Sequence, residues 1–331
     1  MEYSTLLIIA ILFALAFDFI NGFHDAANSV ATIVATQVLK PHWAVLWAGF
    51  FNFIAFMFFE LKVATTIGKG VIDPHIADTT LVLATLIGAV SWNLITWYWG
   101  LPSSSSHALI GGLVGTAIAK AGTGALNMEG LIKILLSIVG SPLFGLLLGF
   151  LLMKIVRLIV QSFKPRAIDG WFRKFQLVSA ALYSLGHGGN DAQKTMGIIT
   201  VLLMANGHMG ANDHTPFWVV ISCQLAMGIG TLFGGWKIVK TMGMKLTKLK
   251  PIGGFCAETS GAATLFLATS LGIPVSTTHT ITGSIVGVGS ADSAKKVKWD
   301  IAGRIVWAWI FTIPAAGIIG AISYYLLAGI R

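Results

Sequence analysis

Long apolar runs alternate with short polar breaks along the whole chain. From the amino terminus the apolar segments cover residues 4–38, 43–67, 79–99, 104–119 and 131–161. The pattern then restarts over 175–204, 216–242, 253–271, 278–290 and 299–327. A helix needs about 20 apolar residues to cross the hydrocarbon layer. Lipid offers no water to freed backbone groups, so a break inside such a segment must be satisfied by protein. The pattern predicts an all-α polytopic membrane protein.

The breaks themselves recur. Leu101-Pro102-Ser103-Ser104-Ser105-Ser106-His107 is matched by Ile273-Pro274-Val275-Ser276-Thr277-Thr278-His279. In each, a proline ends one helix and a run of hydroxyls is placed to cap the next. Two other pairs keep the same order. Residues 21–29, around Asp25, pair with 186–195, around Asp191, and residues 62–68 pair with 237–243. Asp25 and Asp191 are 166 residues apart, Lys62 and Lys237 are 175 apart, and Pro102 and Pro274 are 172 apart. Three collinear pairs at nearly one offset predict two halves of common design. Residues 1–163 form the first repeat, 164–175 a basic connector, and 176–331 the second repeat. Interruptions are expected in the helices at both aspartate motifs. Repeats with helices broken at corresponding places point to the site of a secondary transporter.

Composition narrows the compartment. Of 331 residues 55% are hydrophobic and 11% charged, with a mean hydropathy of +0.80; soluble domains carry about 25% charged residues. The net charge of +9 does not indicate nucleic acid, because the basic residues cluster between apolar segments as the positive-inside bias requires. Placing 154–175, 237–250, 292–304 and the turn at Lys40 in the cytoplasm accounts for sixteen of the 22 basic residues. Lys69, Lys120, Lys133 and Arg331 then lie outside, and Lys62 and Lys194 lie within apolar segments. Each half must then cross an odd number of times, so the repeats are inverted and both termini are extracytoplasmic. The hairpins around the Pro-Ser breaks are either re-entrant or full crossings. Met1-Glu2 lacks the basic start of a cleavable signal peptide. Cys223 and Cys256 lie in apolar segments and suggest neither disulfide nor metal site. The expected location is the cell membrane.

Candidate chemistry sits at the breaks. An aspartate inside an apolar segment costs roughly 2.5–3.5 kcal/mol to insert, so it is functional by default. Asp25, Asn28, Asn190 and Asp191 offer carboxylate and carboxamide oxygens, the ligands a hard cation such as sodium prefers. Ser104, Ser105, Ser106, Ser276, Thr277 and Thr278 offer hydroxyls and helix N-terminal amides, suited to a tetrahedral anion. Gln193, Lys194 and Thr195 are expected to contribute to that anion site. Lys194 has no counterpart in the first half, where Ser29 is read as the matching residue, and it is read as neutralising an aspartate, touching the anion, or snorkelling. His24, His107, His187 and His279 fall within the motifs and are candidates for proton coupling or for bracing the hairpins. Asp18 and Glu258 are further acids in apolar surroundings. No G-x-S-x-G elbow occurs, which argues against a hydrolase; the protein is expected not to be an enzyme.

At these residues the chain resembles the inorganic phosphate transporter (PiT) family. The copies Gly22-Phe23-His24-Asp25-Ala26-Ala27-Asn28 and Gly188-Gly189-Asn190-Asp191-Ala192-Gln193-Lys194 resemble its duplicated Gly-x-Asn-Asp motif, and the paired Pro-Ser segments resemble its second signature. The first copy departs from the pattern with His24 where Asn is usual. The chain lacks the long central loop of larger relatives and looks like a compact prokaryotic member. The resemblance implies symport of inorganic phosphate with Na⁺, with H⁺ as the alternative coupling ion, no organic cofactor and an external N-terminus. Membrane lipid is the surrounding partner, a homodimer is compatible, and nucleic acid is not expected. A sulfate permease of the same fold and, further off, an anion channel are the alternative readings.

Overall fold

The computed structural model describes residues 4–210 and 212–329. Lys69, Pro74 and Arg331, which bear on the expected loops and charge distribution, have side chains outside this description, as do both chain ends. The first half contains α1 (Thr5–His24), α2 (Ala26–Ala35), α3 (Pro41–Ile54), α4 (Lys62–Gly70), α5 (Thr79–Trp99), α6 (Ser105–Ala121) and α7 (Met128–Val160). The second contains α8 (Pro165–Ala205), α9 (Phe217–Phe233), α10 (Trp236–Lys240), α11 (Pro251–Ser270), α12 (Thr277–Asp292) and α13 (Trp299–Gly329). Among the described residues four units, Thr5–Ala35, α5, α7 and α13, are long and apolar enough to cross a membrane, and two bent pairs raise this to six.

Those bent pairs depart from the straight spans expected over 43–67 and 216–242. The chain turns by 82° between α3 and α4, and by 63° between α9 and α10. In the second pair Gly234 makes the turn at φ 65°.

The aspartate motifs differ from expectation in one copy. The first is broken at a single residue: Asp25, at φ −92° and ψ 3°, separates α1 from α2. The second is unbroken, since α8 runs continuously through Asn190 and Asp191. The cause lies in which neighbour each carboxylate engages. Asp25 bonds to His24 Nδ1 at 2.6 Å, and adjacent residues do not face one another on a regular helix. Asp191 engages His187 one turn earlier and Lys194 one turn later, positions that share a helical face. The basic stretch 164–175 lies almost wholly in α8, which starts at Pro165.

The halves interlock reciprocally. α7 packs on α12, and α13 on α6. The approach is backbone to backbone: a Cβ added at Gly283 or Gly287 would lie 2.1 Å from the carbonyl oxygens of Pro142 and Leu146, and one at Gly111 would lie 2.4 Å from that of Ile313. Small residues at such seams are how helices associate where lipid supplies no hydrophobic drive. The same exchange recurs deeper: Gly22 abuts Met227 O, and Gly188 abuts Asn52 O. Loop tethers pair likewise. Trp309 Nε1 donates to Pro102 O at 3.0 Å and Ser137 Oγ to Pro274 O at 3.1 Å. Thr241 Oγ1 donates to Gly100 O and Thr66 Oγ1 to Gly272 O. The outer faces of α7 and α13 expose Leu136, Val139, Leu143, Trp307, Ile310 and Phe311, as a lipid-facing surface would.

Candidate functional site

α5 and α6 pack against each other, as do α11 and α12, so each Pro-Ser break is the tip of a helical hairpin. Gly100 ends α5 in the left-handed region at φ 68°, and Gly272 adopts φ 70° after α11, which glycine does without steric penalty. An extended stretch follows each. Ser104 Oγ then accepts from His107 N–H at 3.3 Å and Ser276 Oγ from His279 N–H at 3.2 Å. These two hydroxyls are N-caps, satisfying amides the helix leaves orphaned. The rings of His107 and His279 meet edge-on at 4.3 Å, so the N-terminal turns of α6 and α12 abut.

Next to the caps, hydroxyls meet the aspartate motifs in matched pairs. Ser105 Oγ donates to Asp25 Oδ2 at 2.8 Å, and Thr277 Oγ1 donates to Asp191 Oδ2 at 2.9 Å. Across the halves, Asn28 Nδ2 donates to Thr278 Oγ1 at 2.9 Å and Thr277 Oγ1 at 3.2 Å. Lys194 Nζ donates to Ser106 Oγ at 2.6 Å and Val275 O at 2.8 Å, and it pairs with Asp191 Oδ1. Asp25, Asn28, Asp191, Lys194, Ser105, Ser106, Thr277 and Thr278 therefore form one cluster. None of them is more than 7% exposed, so the centre is occluded.

The remaining expected site residues make other contacts. Gln193 Oε1 accepts from the amides of Val63 and Ala64, and its Nε2 donates to Glu60 O; it caps the start of α4. Asn190 Nδ2 donates to Thr269 Oγ1 and Ile273 O. Thr195 Oγ1 has no hydrogen-bond partner among the described residues; it lies beside Asp18.

Ligand atoms of Asp25, Asp191 and His187 lie within 4.8 Å of one another, close enough to share one cation. Asn28 Oδ1 and Asn190 Oδ1 are buried acceptors without partners among the described residues, and buried polar groups ordinarily have one. Unused oxygens beside two carboxylates fit a hard cation. His187 was singled out from the sequence only among the motif histidines; its place one turn before Asp191 was the available signal. Glu258 forms a separate buried knot, accepting from Thr32 Oγ1 at 2.5 Å, Ser179 Oγ at 2.5 Å and Gln176 Nε2 at 3.0 Å. Beside α4 a cavity of about 490 Å³ is lined by Glu60, Lys62, Thr65, Thr200 and Thr215.

Residues 21–320 match the family model described as the phosphate transporter family. The chain belongs to the phosphate transporter family. It is 59% identical over 320 residues to a probable low-affinity inorganic phosphate transporter of Rhizobium meliloti (strain 1021), covering 97% of this chain and 96% of that one. It is 49% identical over 325 residues to a protein of the same description in Bacillus subtilis (strain 168), covering 97% of each. A solved structure titled "The sodium-dependent phosphate transporter" superposes with a TM-score of 0.89 at 26% identity, covering 99% of this chain and 100% of that one. The duplicated motifs thus identified the family correctly. The protein is a multi-pass membrane transporter and not an enzyme.

Proposed function

We propose that the protein is a secondary active symporter that imports inorganic phosphate with Na⁺ by alternating access, in the cell membrane and with its basic loops in the cytoplasm. The observation that supports this most is the convergence of two hydroxyl-capped helix N-termini with two aspartates in one occluded cluster. Each helix N-terminus carries roughly half a positive charge, so α6 and α12 together favour an anion between them. Ser105, Ser106, Thr277 and Thr278 hold it; Ser104 and Ser276 shape the two helix starts. Asp25, Asn28, Asp191 and His187 take the cation, with Asn190 Oδ1 at the margin. The cation relieves the aspartates' repulsion of phosphate, so each ligand strengthens binding of the other. The reciprocal packing of α7 on α12 and α13 on α6 supports inverted repeats that move against each other, with 164–175 joining them on the cytoplasmic side. The neighbour's sodium dependence, stated in its title, favours Na⁺ over H⁺.

Uptake of radiolabelled phosphate into proteoliposomes tests this. An inward Na⁺ gradient is expected to drive accumulation, and excess sulfate is expected to leave it unchanged. Uptake indifferent to both Na⁺ and H⁺ gradients would refute symport, and sulfate accumulation that phosphate does not inhibit would reassign the substrate.

A further inference from the structure

Matching Asp25 to Asp191 places Asn28, not Ser29, at the position of Lys194, three residues further on. Their contacts match too. Asn28 reaches across the halves to Thr278, and Lys194 reaches across to Ser106, residues 172 apart like the two prolines that precede them. The two side chains therefore occupy equivalent places in one pseudo-symmetric centre, yet one is neutral and one is a cation.

The surroundings of Lys194 are those of a bound metal ion. Its ammonium sits among a carboxylate oxygen of Asp191, the hydroxyl of Ser106 and the carbonyl of Val275. These three contacts use all three of its donors. It is 2% exposed, which excludes the snorkelling arrangement of a lysine seeking water. Carboxylate, hydroxyl and carbonyl oxygens are also the set a desolvated alkali cation prefers. At the equivalent place in the first half, Asn28 brings no charge, and its Oδ1 is left without a partner.

Resting on the reading of this centre as a Na⁺–phosphate site, we propose that the Lys194 ammonium is a tethered stand-in for one of two coupling cations. Two carboxylates set against one fixed ammonium leave the cluster one positive charge short of balance. A single mobile cation, bound on the Asp25 side, completes it. The protein thus carries one Na⁺ fewer per phosphate than a centre with two neutral amides would require, and the second half of the site is never emptied of its positive charge.

The test counts sodium. Bound ²²Na⁺ per protein is measured at saturation for the purified wild type, Lys194→Asn and Asn28→Lys, and the ratio of ²²Na⁺ to radiolabelled phosphate flux is measured in proteoliposomes. Lys194→Asn is expected to bind about one more Na⁺ than the wild type, and Asn28→Lys about one fewer. The flux ratio of Lys194→Asn is expected to rise by the same amount wherever transport survives. The binding count decides the matter if transport is lost. An unchanged count in Lys194→Asn overturns the proposal. A wild type that binds no Na⁺ while Lys194→Asn gains one would refute sodium coupling of the native protein but uphold the role of Lys194. No Na⁺ bound by either would refute both.

Discussion

The two aspartate motifs present the same frame and different chemistry. In both, an aspartate accepts from a hydroxyl of its own half's Pro-Ser hairpin, Ser105 for Asp25 and Thr277 for Asp191. In both, the residue three further on reaches across to the other half. A histidine stands near each carboxylate, but His24 is adjacent in sequence and His187 is one turn earlier. The helix pays for the first choice with a break at Asp25 and runs straight through Asp191. Only the second copy carries a buried ammonium. The two motifs thus share one hydrogen-bonding frame, while single residues decide which of them carries its own charge.

The largest test of this difference removes each carboxylate in turn. Either Asp25→Asn or Asp191→Asn is expected to lower phosphate uptake about a hundredfold, since one charged contact of a desolvated ion is worth up to ~3 kcal/mol. The two variants should separate in stability. Asp191→Asn strands Lys194 without its anion, and breaking a buried pair costs about 3–5 kcal/mol, whereas Asp25→Asn strands no lysine or arginine. Thermal unfolding in detergent should therefore place Asp191→Asn well below Asp25→Asn; equal midpoints would mean that Lys194 does not depend on Asp191.

A smaller effect should be equal in both halves. A methyl at Gly22 would lie 2.3 Å from Met227 O, and one at Gly188 would lie 2.4 Å from Asn52 O. Gly22→Ala and Gly188→Ala should each cost about 1–3 kcal/mol by forcing the seam apart, read as matched drops in unfolding temperature. A large difference between them would show that the two seams are not under the same constraint.

The smallest effect separates caps from ligands. Ser104→Ala and Ser276→Ala should each cost about 1 kcal/mol of stability through a lost N-cap, with the phosphate KM little changed. Ser105→Ala and Thr277→Val should raise that KM with less effect on stability. The reverse outcome would exchange the roles of neighbouring hydroxyls.

Much of the centre was legible before any coordinates, because membrane burial makes every polar residue costly and so informative. Asp25, Asp191, Asn28 and the Ser/Thr runs announced themselves as polar groups at repeated breaks, and the structure joins them. Gln193 reads equally well from the sequence and caps α4 instead. Spacing along the motif cannot tell a side chain facing the hairpin tips from one facing α4, as Gln193 does. His187 was undervalued because its relation to Asp25 crosses from one half to the other. The bends between α3 and α4 and between α9 and α10 were hidden within apolar runs, where composition is the same whether the chain continues or turns.

By itself the sequence determined the all-helical membrane class and the family, since these follow from periodic hydrophobicity and from motifs repeated at a nearly constant offset. Only the tertiary structure decided that Lys194 reaches Ser106 and Val275 and fills an oxygen cage. It also decided that α8 does not break, and that Asp25 meets His187 and Asp191 from the other half. The cage and the meeting of the two aspartates depend on contacts between residues far apart in the chain, set by helix packing rather than by local pattern.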